Sequence, residues 1–198
     1  MKAHIQTKIN EAISVKQRLI TMADDIESMA KIIVDSYNKG GKLIFFGNGG
    51  SAADAQHMAT EYVCLLDSRN KRPSMNAISL TTNTSALTAT SNDFSVDHIF
   101  SRQMEALVNE NDVAVGISTS GNSKNVLEAL NLAKEKGARV IGWTGSTGGK
   151  MNDLPMDFVF KAPSDDVNRI QEIHVTMGHI LCSAVENELH FKNINASN

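Results

Sequence analysis

Leu43-Ile-Phe-Phe46 runs into Gly47-Asn-Gly-Gly-Ser51 and then into Ala52-Ala-Asp-Ala-Gln-His57. The apolar run predicts a buried strand, and the alanine-rich segment after it favours a helix. A glycine-rich turn between a strand and a helix exposes backbone N–H groups at the positive end of the helix, where anions bind. The stretch therefore predicts an α/β fold with an anion site after this strand. The residues predicted to form that site are Asn48, Gly49, Gly50 and Ser51.

The same alternation of short apolar runs and amphipathic segments continues along the chain. Further strands are predicted at 77–80, 113–117, 140–143 and 158–160, and helices at about 51–65, 84–90, 96–108, 123–136 and 166–190. Strands that alternate with helices imply a parallel sheet covered on both faces. Residues 4–38 carry apolar positions at helical spacing and predict two further helices. We expect one three-layer αβα domain over residues 1–198, with a helical extension at 1–38 and an αβα core with a five-stranded sheet at 39–198.

The composition excludes several classes of protein. The 198 residues include 19 Lys and Arg against 22 Asp and Glu, a net charge of −3, and the basic residues do not cluster. Nucleic-acid binding needs a basic face, so we expect none. No apolar run approaches the roughly 18 residues of a membrane span, and the first residues lack the apolar core of a leader, so we expect a cytoplasmic protein without membrane contact. Cys64 and Cys182 lack metal or disulfide spacing and are expected to be reduced thiols.

A second polar turn, Ser118-Thr-Ser-Gly-Asn-Ser123, follows the predicted strand at 113–117. Its hydroxyl groups and the N–H groups of the following helix suit a phosphate monoester. The simpler alternative is that these residues only cap the helix. Because the chain lacks the Gly-Lys-Ser/Thr sequence of a nucleotide P-loop, a small phosphorylated metabolite fits better than ATP. The hydroxyl groups belong to Ser118, Thr119, Ser120 and Ser123.

A dinucleotide site is the competing interpretation of the first turn. Gly47-x-Gly49-x-x-Ala52 matches the glycine fingerprint of nicotinamide-binding domains. That class places an acidic residue at the end of the second strand to hold the ribose, whereas Thr81-Thr82-Asn83 stands there. A nicotinamide dehydrogenase therefore remains the weaker alternative.

Two segments carry residues that act as acids, bases or metal ligands. His57 and Glu61 are four residues apart and share one helix face, where they form either a reactive pair or an ordinary solvated one. The predicted C-terminal helix is largely apolar but carries Gln171, Glu172, His174 and His179. Spacing alone does not decide which of these four meets His57 and Glu61.

Three motifs in order resemble the phosphoheptose isomerases of the sugar isomerase (SIS) domain family. They are the motif at 47–57, the motif at 116–123, and Arg169-Ile-Gln-Glu-Ile-His174 with His179, and the resemblance extends over about residues 40–187. It implies a flavodoxin-like sheet and a homotetramer with active sites between subunits. It also implies conversion of sedoheptulose 7-phosphate to D-glycero-D-manno-heptose 7-phosphate for bacterial surface heptose, in lipopolysaccharide core, capsule or another glycan.

The resemblance also implies roles for individual residues. Glu61 matches the base and His179 the acid that move protons through an enediol. Asn92, Asp93 and Gln171 join the substrate site. Several members bind zinc at the positions of His57, Glu61, Gln171 and His179, so zinc is expected, one per subunit. Its role stays open between catalytic and structural, because Glu61 and His179 would have to serve both as ligands and as acid and base.

The chain departs from the family pattern after Glu61, where Tyr62-Val-Cys-Leu-Leu66 replaces the usual Gly-Arg-Tyr or Gly-Arg-Phe. Asn83 also stands where an aspartate is frequent. The missing arginine favours either compensation by Arg69 or Arg72 or an isomerase that acts on a different sugar phosphate. A further alternative is a non-catalytic SIS regulator that senses a sugar phosphate or binds a replication initiator.

Overall fold

Five parallel strands form one sheet in the computed structural model, which describes residues 1–191. The strand order is β2-β1-β3-β4-β5, which is the flavodoxin-like order. The predicted three-layer αβα class is therefore confirmed, while the last residues of the predicted 1–198 domain, 192–198, lie outside the described residues. The strands are β1 (Leu43–Gly47), β2 (Ala77–Ser79), β3 (Val113–Ile117), β4 (Arg139–Thr144) and β5 (Phe158–Lys161).

Helices cover both faces of this sheet. Every residue of β1 and β3 is buried, because these strands lie inside the sheet and have helices on either side. The helices are α1 (Lys2–Gln17), α2 (Ala23–Asn38), α3 (Gly50–Val63), α4 (Thr84–Asp93), α5 (Ser101–Leu107), α6 (Lys124–Glu135) and α7 (Val167–Glu186). Phe45 packs into the apolar cluster beneath α2, α3 and α7, while Ile44 and Phe46 pack into the cluster beneath α5 and α6.

Two predicted helices differ from the observed ones. The helix predicted at 96–108 is wrong, since the chain forms a 3₁₀ turn at Val96–His98 and begins α5 only at Ser101. Between the two lies Phe100, whose buried ring packs with its centroid 5.6 Å from that of Phe46. The helix predicted to end at residue 190 ends at Glu186 and continues as a π-helical turn, Asn187–Phe191.

The strand order creates a crevice at the carboxyl ends of β1 and β3. β1 and β3 are neighbours although β2 lies between them in the chain, so the connections that leave their carboxyl ends diverge. Ligands of open α/β sheets bind at such a point. Both polar turns predicted from the sequence, 48–51 and 118–123, begin there. No helix among residues 1–191 is long and apolar enough to cross a membrane.

Candidate active site

The glycine-rich turn after β1 begins α3 without a side-chain cap. Gly49 has φ = +57°, a conformation that only glycine adopts at little cost, and its carbonyl accepts the N–H groups of Ala52 and Ala53. The amide of Asn48, a predicted substrate residue, exchanges two hydrogen bonds of 2.9 and 3.0 Å with the amide of Asn125 on α6. Sequence reasoning missed Asn125, since nothing distinguishes it from an ordinary residue of a first helical turn.

The hydroxyl-rich turn after β3 does more than cap a helix. Ser123 occupies the N-cap position of α6, but its hydroxyl lies 2.9 Å from that of Ser118 and does not cap the helix. Ser118 is buried, whereas Thr119 and Ser120 line a cavity of about 310 Å³. Two uncapped helix N-termini and a row of hydroxyl groups therefore meet at the crevice, and this arrangement suits an anion.

Helices α3 and α7 pack side by side in the same direction and bring the remaining residues together. Gln171 lies against Gly50 at the start of α3, and about two helical turns further along both helices His179 contacts His57. Next to the contact between the histidines, a Cβ at Gly178 would overlap the sulfur of Met58. The glycine therefore permits the close approach of the two helices.

His57, Glu61 and His179 form one cluster. The Nε2 atoms of the two histidines are 2.7 Å apart, and Nε2 of His57 is 3.4 Å from Oε1 of Glu61. The possible ligand atoms of all three residues lie within 4.8 Å of one another. His179 is therefore the residue of α7 that meets the His57–Glu61 pair, the choice that spacing left open. The cluster lines a cleft of about 740 Å³.

The donor set of this cluster fits a zinc ion. Two imidazole nitrogens and a carboxylate oxygen are ligands that zinc accepts. Zn–N bonds of about 2.0–2.1 Å at a tetrahedral ion would hold two nitrogens about 3.3 Å apart. The two Nε2 atoms, now 2.7 Å apart, would therefore need to separate by about 0.6 Å. The same groups, without metal, place a carboxylate and an imidazole side by side for proton transfer.

Comparison with known proteins places the chain in a family. Residues 9–145 match the SIS domain. Phosphoheptose isomerase from Geobacter sulfurreducens is 52% identical over 168 residues, which are 85% of this chain and 87% of that protein. Phosphoheptose isomerase from Aneurinibacillus thermoaerophilus is 47% identical over 195 residues, 98% of this chain and 95% of that protein. The chain belongs to the phosphoheptose isomerases of the SIS domain family.

Solved structures of this family agree with the fold described above. Phosphoheptose isomerase from Neisseria gonorrhoeae superposes with a TM-score of 0.87 at 38% identity, over 94% of this chain and 98% of that one. Membership makes the chain an isomerase, and it decides against both the nicotinamide dehydrogenase and the non-catalytic regulator.

The two arginines expected to replace the missing family arginine have different surroundings in this isomerase. Arg69 lines the same cleft as His57 and Glu61, and its side chain is 86% exposed and bound to Asp67. The side chain of Arg72 is fully buried and is bound to protein groups on all sides. Arg69 is therefore the arginine that a ligand in the cleft can reach. Asn83 caps α4 by accepting the N–H of Ala86, which gives it a structural role.

Asp54 is a further candidate site residue that sequence reasoning missed. It lies on α3 beside the cluster and lines a second cavity together with Gln171. Burial raises the pKa of Asp54 to about 6, against a smaller opposing effect of His57, and its Oδ2 atom is buried without a hydrogen-bond partner. Its position inside the 47–57 motif was the available signal.

Other predicted or considered residues lie apart from the cluster. Asn92 and Asp93 hydrogen-bond to each other at the exposed end of α4. Glu172 is paired with Arg169, and His174 is buried in the core. Gln171, the fourth predicted zinc ligand, borders the second cavity and not the cleft, so its participation stays a prediction.

Proposed function

We propose that this isomerase converts sedoheptulose 7-phosphate to D-glycero-D-manno-heptose 7-phosphate. The observation that carries the proposal is the cluster of Glu61, His57 and His179 at the edge of a cleft. The carboxylate of Glu61 takes a proton from C1 of the ketose and returns it to C2. His179 delivers a proton to O2 and accepts the one that leaves O1, so that an enediol forms and collapses to the aldose.

The phosphate is held away from the reacting carbons. We assign its contacts to the two polar turns at the crevice, because their helices begin without side-chain caps and their hydroxyl groups are neutral donors. Fixing the phosphate there fixes C1 and C2 relative to the acid and base. The proposed contacts are Asn48, Gly49, Gly50, Ser51, Ser118, Thr119, Ser120 and Ser123, with Asn92, Asp93 and Gln171 reserved for the sugar hydroxyl groups.

The cleft arginine bears on the choice of sugar. Arg69 supplies the cation that the family places directly after the base, and its exposed side chain can turn from Asp67 toward a ligand. If Arg69 does not act in this way, an isomerase with a different sugar phosphate as its substrate is the second candidate.

Zinc is the metal that this cluster would hold, one ion per subunit. His57, Glu61 and His179 would bind it, with Gln171 as the proposed fourth ligand. When bound, zinc polarises a carbonyl or enediolate oxygen. The metal content of the purified protein, before and after dialysis against a chelator, tests this part.

We further propose a cytoplasmic homotetramer of one SIS domain per chain, with active sites between subunits, that serves surface-heptose synthesis. α1 buries none of its residues, and its isoleucines 5, 9 and 13 form an exposed stripe. An apolar groove of about 860 Å³, which includes Leu19, Ile26 and Ile180, lies between α2 and α7. A stripe and a groove of this kind support assembly from copies of the chain.

A time course of sedoheptulose 7-phosphate with the protein in deuterated water, followed by NMR, tests the reaction. We expect the aldose with deuterium at C2. Glu61→Gln should lower the rate by about 100-fold or more, because the base is lost. Glu128→Gln is the matched control, since it alters another His–Glu contact, 3.0 Å to His98, on the far helix α6.

Each result of this experiment decides between functions. Deuterium exchange without product would assign enediol chemistry on another sugar phosphate. Absence of both exchange and product, or an unchanged rate in Glu61→Gln, would overturn the proposal.

A further inference from the structure

We infer that Arg72 is a positioning residue that sets the distance between the base Glu61 on α3 and the acid His179 on α7. The inference rests on the proposed function of these two residues. It concerns a residue outside the cluster, in the segment that follows α3. Its guanidinium hydrogen-bonds to the backbone carbonyl of Glu61 and not to its carboxylate, and to Glu186 and not to His179. Arg72 therefore acts through the backbone of one helix and a side chain of the other.

The guanidinium of Arg72 binds both helices at once. Its Nη2 atom donates to the carbonyl of Glu61 over 2.8 Å, and its Nη1 atom donates to the carbonyl of Tyr62 over 2.9 Å. On its other side, Nε donates to Oε1 of Glu186 over 2.6 Å. The side chain of Arg72 is 0% exposed and that of Glu186 is 7% exposed, so solvent screens this ion pair little.

On α3, Arg72 completes the end of the helix that carries the base. The last four carbonyls of a helix lack partners within it. Here Cys64 N–H donates to the carbonyl of Thr60, and the hydroxyl of Ser74 donates to that of Val63. Arg72 donates to the carbonyls of Glu61 and Tyr62 between them, and the carbonyl of Tyr62 also accepts the N–H of Met75. A cation at this position also interacts favourably with the helix dipole. The last turn of α3, including Glu61, is therefore held by Arg72.

On α7, Arg72 is bound to the helix that carries the acid. Glu186 follows His179 by seven residues, two helical turns, so both project from one side of α7. Glu186 lines the cleft together with Glu61 and His179. The ion pair thus reaches the cleft through Glu186 and ties the two helices at a point beyond the proposed reacting groups.

An arginine suits this position for a geometric reason. Its planar fork donates in several fixed directions at once, to the backbone of α3 and to Glu186, whereas the ammonium of lysine is a compact point charge on a flexible stem. We therefore expect Arg72→Lys to keep the charge and lose the geometry. A displacement of about 1 Å at a reacting group costs up to about 100-fold in rate.

The test compares Arg72→Lys with Lys42→Met. The control removes another buried ion pair, Lys42 with Asp112. These two residues directly precede β1 and β3, so the pair lies at the amino ends of the strands, opposite the site. We expect Arg72→Lys to lower kcat by about 10- to 100-fold with KM within about twofold, because the phosphate contacts lie on other turns. Lys42→Met should lower thermal stability and leave kcat close to that of the wild type.

Binding of Co²⁺ by the three proteins, read from visible absorbance, is a second readout that needs no turnover. Arg72→Lys should bind Co²⁺ at least about 10-fold more weakly than the wild type does, because Glu61 and His179 are displaced. Lys42→Met should bind Co²⁺ as tightly as the wild type. If Arg72→Lys does not fold, Glu186→Asp replaces it, since this variant keeps the charges and shortens the link by one methylene.

The outcomes separate this inference from the proposed reaction. A wild-type protein that does not act on sedoheptulose 7-phosphate contradicts the proposed function, and the Co²⁺ measurement still tests the role of Arg72. An active wild type with unchanged kcat and Co²⁺ affinity in Arg72→Lys, or an equal loss of kcat in Lys42→Met, would overturn the positioning role alone.

Discussion

His174 and His179 lie five residues apart on α7 and have opposite surroundings. His179 borders the cleft and contacts His57, whereas His174 is 0% exposed. Nε2 of His174 donates to the carbonyl of Thr144 over 3.1 Å, which fixes the neutral tautomer. Burial lowers the pKa of His174 to about 4, against a smaller opposing effect of the bond to Thr144.

His174 makes stability depend on pH. The unfolded chain binds this proton with a pKa near 6.5, so between about pH 6.5 and pH 4 the unfolded state holds more protons than the folded state. The contribution of His174 to stability is complete above pH 6.5, and about 3 kcal/mol of it is lost as the pH falls from 6.5 to about 4. His174→Gln keeps an N–H for Thr144 and does not titrate. Urea unfolding at pH 7 and pH 5 should show a smaller fall in the variant, and equal falls would contradict this account.

Residue spacing predicted which types of side chain the site contains, but not all of their partners. His57 and Glu61 could be paired from the sequence, because four residues along a helix define one face. The partner of this pair could not, because periodicity within α7 says nothing about which helix it packs against. Arg72 was considered as a ligand for substrate, and only its buried contacts with Glu186 and the α3 backbone indicate its role as a link.

Among the elements, the contact between α3 and α7 depends on Gly178. A Cβ there would overlap the sulfur of Met58 and lie 3.2 Å from Cη2 of Trp143. Met58 and Trp143 are buried, 0% and 1% exposed, so neither has free space to move into. The absence of a side chain at Gly178 thus lets His179 approach His57.

Gly178→Ala tests this contact, because the sign of the change in the free energy of unfolding depends on whether the site is crowded. In a helix without crowding, the change from glycine to alanine stabilises by about 1 kcal/mol. Overpacking costs about 1–3 kcal/mol, so we expect a net loss of stability in urea unfolding, together with a lower kcat. Met58→Ala added to Gly178→Ala should restore part of both, because it makes room for the new methyl group. A Gly178→Ala protein that is more stable than the wild type would refute the argument.

The strands were more predictable than the helices for a physical reason. Strands buried on both faces read as continuous apolar runs, and the observed β3 has the predicted bounds. The break at Phe100 was not predictable, because local helical spacing continues through it, whereas the buried ring packs against Phe46 in the cluster beneath α5 and α6. Tertiary packing decided this break, and propensity did not.

At the scale of the whole molecule, one face of α1 is left uncovered, although Arg169 on α7 donates to the carbonyl of Lys8 and Val15 packs against the core. Its isoleucines at 5, 9 and 13 are 51%, 54% and 50% exposed and repeat every four residues along one face. The opposite face is polar, with Thr7 at its centre. A helix with this pattern normally buries its apolar face against another element.

Ile9→Lys tests whether copies of the chain meet at this stripe. A charge at its centre should lower the mass measured by analytical ultracentrifugation below that of the proposed homotetramer, because the buried lysine would lack a partner. Thr7→Lys places the same charge on the other face and should keep the wild-type mass. An unchanged mass in Ile9→Lys would show that the oligomer does not use this face.

The contact between His57 and His179 joins residues that are 122 positions apart in the chain. A ribosome that has released the first four strands and the glycine-rich turn has therefore made most of the sheet but not His179, the proposed acid. The nascent protein stays catalytically silent until α7 emerges and docks against α3. Any later local opening that detaches α7 from α3 separates His179 from His57 and should therefore stop the proposed reaction.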